Sequence, residues 1–189
     1  SQMYPLDYFR RTAQAGDLVC FGAKYFGAPH STGFVCGKRD LVDAVAAQSF
    51  IGYETSGRRA IGRPMKVDRQ EVVGVVAAFR TWFTTNHEDR LEQVDHRIAA
   101  IREGLRGVPN IRTEVDDRLA PWGPDLNVVL DTAALGKSAE QVVQQLADGT
   151  PSIRVRVASD DTIIIRVHTL NEGEVEVVSD ELRKVLADA

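Results

Sequence analysis

Cysteine, methionine and tryptophan each occur only twice in these 189 residues, and histidine four times. Cys20 and Cys36 lie inside short apolar runs that read as buried strands, where a free thiol behaves as a small hydrophobe. Two reduced thiols are therefore expected rather than a disulfide. His30, His87, His96 and His168 lack ligand-like spacing, and no Cys-x-x-Cys or His-Glu-x-x-His pattern accompanies them, so no zinc site is expected. Long apolar runs are also missing. A stretch such as Val72 to Phe79 falls well short of the roughly 20 residues that span a bilayer, and no signal-peptide pattern opens the chain. A cytoplasmic protein without a membrane partner is expected. Nor is there a block of one charge: 23 basic and 27 acidic residues are interspersed and the formal net charge is -4. With no basic stripe to neutralise phosphates, nucleic acid is not an expected partner.

What is present is apolar material, 43% of residues, enough for one good core or two small ones. Leu6, Phe9 and Ala13 share one helical face before Gly16 interrupts. Asp17 to Phe21 reads as a buried strand, Gly22 to Gly33 as a turn-rich loop, and Phe34 to Cys36 as a second short strand. Leu41, Val42, Val45 and Ala46 restore helical spacing, and the glycine- and arginine-rich stretch Gly52 to Pro64 reads as a loop. Asp68 followed by Glu71 resembles a capping box opening a helix through Phe83. A second helical pattern, Leu91, Val94, Ile98, Ile101 and Leu105, follows a break near Asn86 and stops at Gly107 and Pro109. Thereafter the pattern predicts strand Leu126 to Leu130, helix Ala139 to Leu146, a hairpin of Ile153 to Val157 with Thr162 to Val167, and a last helix Glu174 to Leu186. This is a small α+β domain.

Chemistry concentrates on Lys24, which directly follows the first strand in a loop with Gly22, Gly27, Pro29 and Gly33. Loops at sheet ends are where active-site groups collect. A lysine in a partly dry setting there is pushed toward its neutral, nucleophilic form. The bland alternative, a solvated loop lysine, stays open on spacing alone.

The segments Lys24-x-x-x-x-Pro29-x-Ser31-x-Gly33 and Ile61-Gly62-Arg63-Pro64-Met65-Lys66-Val67 resemble a group of pyridoxal-phosphate (PLP) enzymes. That group contains selenocysteine synthase and glucosaminate-phosphate ammonia-lyase. Pro151-Ser152-Ile153-Arg154-Val155-Arg156 is similar to the group's Pro-Pro-Ile-x-x-Arg strand. Departures fall at Ala23, at Ala28 and at His30, where relatives carry glycine, proline-flanking glycine and glutamine.

The resemblance implies an α/β fold: the C-terminal part of an aminotransferase-like (fold type I) large domain over 1–68, a long connecting helix over 69–107, and a small α+β domain over 108–189. It implies pyridoxal 5'-phosphate as cofactor, Lys24 as its Schiff-base lysine and general base at Cα, and His30 facing the cofactor. Arg156 would bind a substrate carboxylate and Arg63 a second anion. For Arg156 the alternative is an outward, solvated side chain. Arg58, Arg59 and Lys66 read as surface charges. The implied activity is that of a lyase or transferase acting at Cα or Cβ of an amino acid or amino sugar acid. The implied partners are a missing N-terminal segment of the large domain, a small amino substrate, and a second copy in a homodimer or larger assembly. The competing expectation is an incomplete, non-enzymatic assembly subunit that keeps the fold.

Overall fold

The structure, a computed structural model, describes residues 4–56, 59–117 and 122–187. Two compact units divide the chain, Ser1–Thr85 and Asn86–Ala189.

The first unit opens with helix α1 (Leu6–Gln14) and continues into an antiparallel hairpin of β1 (Leu18–Gly22) and β2 (Gly33–Gly37), in which Gly22 faces Gly33. Helices α2 (Arg39–Gln48), α3 (Phe50–Ser56) and α4 (Arg69–Thr84) follow. Aromatic rings form the centre of this unit. Phe9, Phe21, Phe26, Phe34 and Phe79 meet at centroid separations of 4.8–6.4 Å, and Trp82 and Phe83 join through Phe26. Such tilted and edge-on pairs contribute beyond their buried area.

Three expectations need correction here. The span Gly52 to Pro64 is helical at its start, because Gly52 packs directly against the carbonyls of Ala46 and Ala47 and so docks α3 on α2. Asp68 does occupy the N-cap of α4, but its side chain caps nothing, and Glu71 instead accepts a hydrogen bond from the Ser31 hydroxyl at 2.6 Å. Cys20 is exposed and Cys36 only half-buried, because a two-stranded sheet covered on one side leaves its other side open. Both thiols are free, and burial together with the neighbouring Cys20 pushes the Cys36 thiol up.

The second unit begins with α5 (His87–Gly104), whose N-cap Asn86 accepts from the amides of Glu88 and Asp89. The pattern over 69–107 is thus two helices separated at Thr85–Asn86. Next come β3 (Ile111–Asp116), β4 (Asp125–Leu130), the short α6 (Thr132–Leu135), α7 (Ala139–Asp148), the hairpin β5 (Arg156–Ser159) and β6 (Thr162–Ile165), and α8 (Glu174–Ala187). The strands form one antiparallel sheet in the order β3-β4-β6-β5. Ser138 and Gln141 close a reciprocal capping box on α7.

Alternation along the strands divides the sheet's faces. Leu126, Val128, Leu130, Ile163 and Ile165 point into a core completed by Val94, Ile98 and Ile101 of α5, Val142 and Leu146 of α7, and Val178, Leu182 and Leu186 of α8. The opposite face carries Asp125, Asn127 and Val129, with Glu114 facing Asn127 and Arg156 facing Ile164. Among the described residues no helix is long and apolar enough to cross a membrane, and no cluster of histidine, cysteine and carboxylate side chains has the makings of a metal site.

Candidate functional site

Lys24 lies in a single 3-10 turn, Ala23–Phe26, that begins where β1 ends. Its backbone is fixed from several directions. The Ala23 amide donates to the Thr32 carbonyl at 2.9 Å, the Gly27 amide to the Lys24 carbonyl at 3.0 Å, and the Thr32 amide to the Pro29 carbonyl at 3.2 Å. Gly27 takes a left-handed conformation, φ 87°, which a glycine adopts without a Cβ penalty. Ala23 is wholly buried and Phe26 nearly so. From above, α4 approaches so closely that a Cβ on Gly74 would stand 2.9 Å from the Pro29 ring.

The loop is therefore anchored by its small and aromatic residues while its lysine projects outward. Lys24 is exposed, not in the partly dry setting expected from the sequence. Its ammonium lies 5.1 Å from the centre of the Tyr25 ring, and among the described residues no carboxylate pairs with it. His30, on the same loop, is exposed and hydrogen-bonded to no described residue.

Arg63 follows a tight turn in which the amides of Gly62 and Ile61 bond to the backbone and side-chain oxygens of Gln48. A Cβ on Gly62 would stand 2.5 Å from the Gln48 carbonyl, so glycine is required there. The Arg63 guanidinium lies 5.2 Å above the Tyr53 ring and Lys66 lies 4.8 Å from that of Phe50. Both are held by aromatic faces rather than by acids. Arg58 lies outside the described residues.

In the second unit, Arg156 opens β5 and lines a cavity of about 400 Å³ bounded by the 151–156 segment, the end of β6 and the start of α8. Arg154 and Arg166 line it too. Nearby, Arg166 pairs with Asp125 at 3.6 Å, and the His168 ring stacks on Trp122 at 6.0 Å. Desolvation lowers the His168 pKa, against a raising influence from Asp125 and lowering ones from Arg166 and Arg90. The buried atoms Asp125 Oδ1, Asn127 Oδ1 and His168 Nδ1 lack hydrogen-bond partners among the described residues. The sequence pattern flagged neither Arg166 nor this polar group. The signal available was the odd-even alternation of β4, which puts Asp125 and Asn127 on the face away from the core.

Comparison with known proteins gives the architecture a counterpart. D-glucosaminate-6-phosphate ammonia-lyase superposes with a TM-score of 0.64 at 24% identity, over 94% of this chain and 45% of that one. The aminotransferase fold is the same. An ornithine aminotransferase from Toxoplasma gondii, whose structure reveals partial occupancy of PLP at its active site, superposes at 0.50 with 16% identity, over 91% of this chain and 37% of its own. Among curated proteins, a 5'-C-glycyluridine monooxygenase-decarboxylase from Streptomyces sp. is 36% identical over 153 residues, 78% of this chain and 35% of the relative. This chain thus spans about a third of that curated relative's length and under half of the structures' lengths. No family model matches. Coverage of this kind fits part of a fold-type-I architecture.

Proposed function

We propose that this chain is the C-terminal portion of a PLP-dependent enzyme acting at Cα of an amino substrate, with Lys24 as the lysine that joins the cofactor. The observation carrying this reading is the anchored loop that ends β1 and presents an exposed lysine free of any carboxylate partner among the described residues. An amine engaged by an acid is tied away from other partners, whereas this one is sterically open to an incoming aldehyde. The residues present fit the cofactor in that respect. The pyridine-nitrogen partner and the phosphate cradle belong, on this reading, to sequence outside these 189 residues.

When bound, PLP supplies an electron sink that stabilises negative charge at Cα of the substrate. With the cofactor bound, Lys24 Nζ would be the base that holds and returns the Cα proton. The guanidinium of Arg156 binds the substrate carboxylate through its planar fork, which also orients the bonds at Cα. Arg63, kept extended over Tyr53, offers a second anion contact, and His30 is a polar neighbour on the lysine's own loop.

The first reading of the reaction is elimination or replacement at Cβ, in keeping with the ammonia-lyase and with the selenocysteine-synthase-like motifs. A second is favoured by the 36% identical relative, whose name specifies oxygenation with decarboxylation of an amino acid carried on a nucleoside. Both begin from the same charge at Cα and differ in which bond Arg156 leaves aligned for cleavage. A second copy of the chain is the expected partner.

Borohydride trapping with PLP, followed by peptide mapping, tests the assignment on this chain and on a version extended toward the length of its relatives. Label is expected at Lys24 and lost in Lys24→Ala. Selective label only in the longer version identifies this chain as half a site. Failure to label Lys24 in either would refute the cofactor role and leave an assembly subunit as the better description.

A further inference from the structure

The cavity beside β5 holds more positive charge than one carboxylate requires. Arg154, Arg156 and Arg166 all line it. Arg166 has its counterion in Asp125. The carboxylate of Glu174, also on the wall, is taken by Asn171, whose amide donates at 2.7 Å and whose side chain donates at 3.1 Å. The guanidinium groups of Arg154 and Arg156 make no ion pair or hydrogen bond among the described residues. Both are exposed residues on the wall of one cavity, so an anion there has two guanidinium donors to draw on. The lining also carries the apolar and at least partly exposed side chains of Val155, Leu170 and Val177. Water pairs poorly with such a floor, and a carbon chain packs well on it. At about 400 Å³ the cavity is of a size that takes small molecules.

We propose that Arg154 is a second anion-binding residue and that the substrate is an amino acid with a second oxyanion, carboxylate or phosphate, on a short apolar spacer. Arg156 takes the α-carboxylate, Arg154 takes the distal oxyanion, and the spacer lies on the apolar floor. This assignment rests on the reading of Arg156 as the carboxylate anchor.

Calorimetric titration of the whole chain at fixed ionic strength tests it, with butyrate, glutarate and 3-phosphonopropionate as probes. Constant ionic strength matters because salt screens exposed charges. At least one dianion should bind about tenfold or more tighter than butyrate, the scale of one charge-assisted hydrogen bond. The better of the two dianions identifies the distal group. Arg154→Ala and the longer Arg154→Gln should both reduce that dianion to the butyrate level while leaving butyrate unchanged, and Arg156→Ala should weaken all three. Thermal melts of the variants check that they fold. A dianion preference that survives in both Arg154 variants, or no saturable binding of any probe, overturns the proposal. Lys24 labelling separates the two assignments. Label without dianion preference sinks the second anion site alone, whereas dianion preference without label sinks the cofactor reading and leaves an anion pocket of another use.

Discussion

The two units bury their apolar residues to very different extents. Among the described residues of Asn86–Ala189, nineteen core positions from Val94 to Leu186 form one contiguous cluster, and every major helix contributes to it. In Ser1–Thr85, helices α1 and α2 bury no residue at all, and Ile51, Ile61, Met65, Val67 and Val73 are each more than 60% exposed. A two-stranded hairpin is marginal by itself, so this unit relies on its ring cluster for order. The lysine loop sits in the unit with the thinner core. What holds Lys24 in place is local, a set of turn hydrogen bonds and the close approach of α4, not a deep hydrophobic interior.

That contrast can be broken from either side. The largest effect is expected in the second unit, where Ile101 is fully buried among sheet and helix residues. Ile101→Ala should lower stability by about 2–5 kcal/mol through lost burial and the cavity left behind. Chemical denaturation followed by far-ultraviolet circular dichroism would measure it, and an effect near zero would mean that this core is not closely packed. In the first unit, Gly74→Val places carbon against the Pro29 ring, and overpacking of this kind costs about 1–3 kcal/mol. Its sharper signature is local: α4 is pushed off the loop, so borohydride labelling of Lys24 should fall although the second unit melts as before. Unchanged labelling would show that the loop keeps its shape without α4.

The parts of this arrangement that were legible in the sequence are those set by local chemistry. Gly22, Gly27 and Pro29 announced a structured turn after a strand, and Val175, Val178, Leu182 and Val185 announced α8, because turn geometry and helical period leave direct traces. What escaped was fixed by contacts distant in sequence. Strand β3 alternates only over Ile111 to Glu114, Val115 breaks the pattern by standing exposed, and the strand pairs on one side only, so with Arg112 and Glu114 charged no strand signal stood out. Helix α3 exists because Gly52 permits contact with α2, which no periodicity records. Glu71 looked like a capping residue until Ser31, forty positions earlier, proved to be its partner. The candidate site divides in the same way. Lys24 and Arg156 were visible as motif residues, whereas the companionship of Arg154, Arg156 and Arg166 on one cavity wall follows from where β5 starts and β6 ends.

The smallest expected effect separates the units by pH. His168, half-buried and stacked on Trp122, is held below the ordinary histidine range chiefly by desolvation, while His30 in the first unit is exposed. A folded-state histidine with a depressed pKa binds fewer protons than the same residue in the unfolded chain. Stability must therefore rise with pH across the interval between the two values. Read downward, the second unit is unaffected above the unfolded value of about 6.5 and weakens as pH falls below it, until the folded histidine also protonates. Replacing the ring with an untitratable one of similar shape, His168→Phe, keeps the contact with Trp122 and removes the proton, so the slope of stability against pH between about 7 and 5 should flatten. Thermal melts of both proteins at matched ionic strength across that range supply the comparison. Parallel slopes would mean that His168 is solvated in the folded protein, and that the cluster of Asp125, Arg166 and Trp122 around it is open to water.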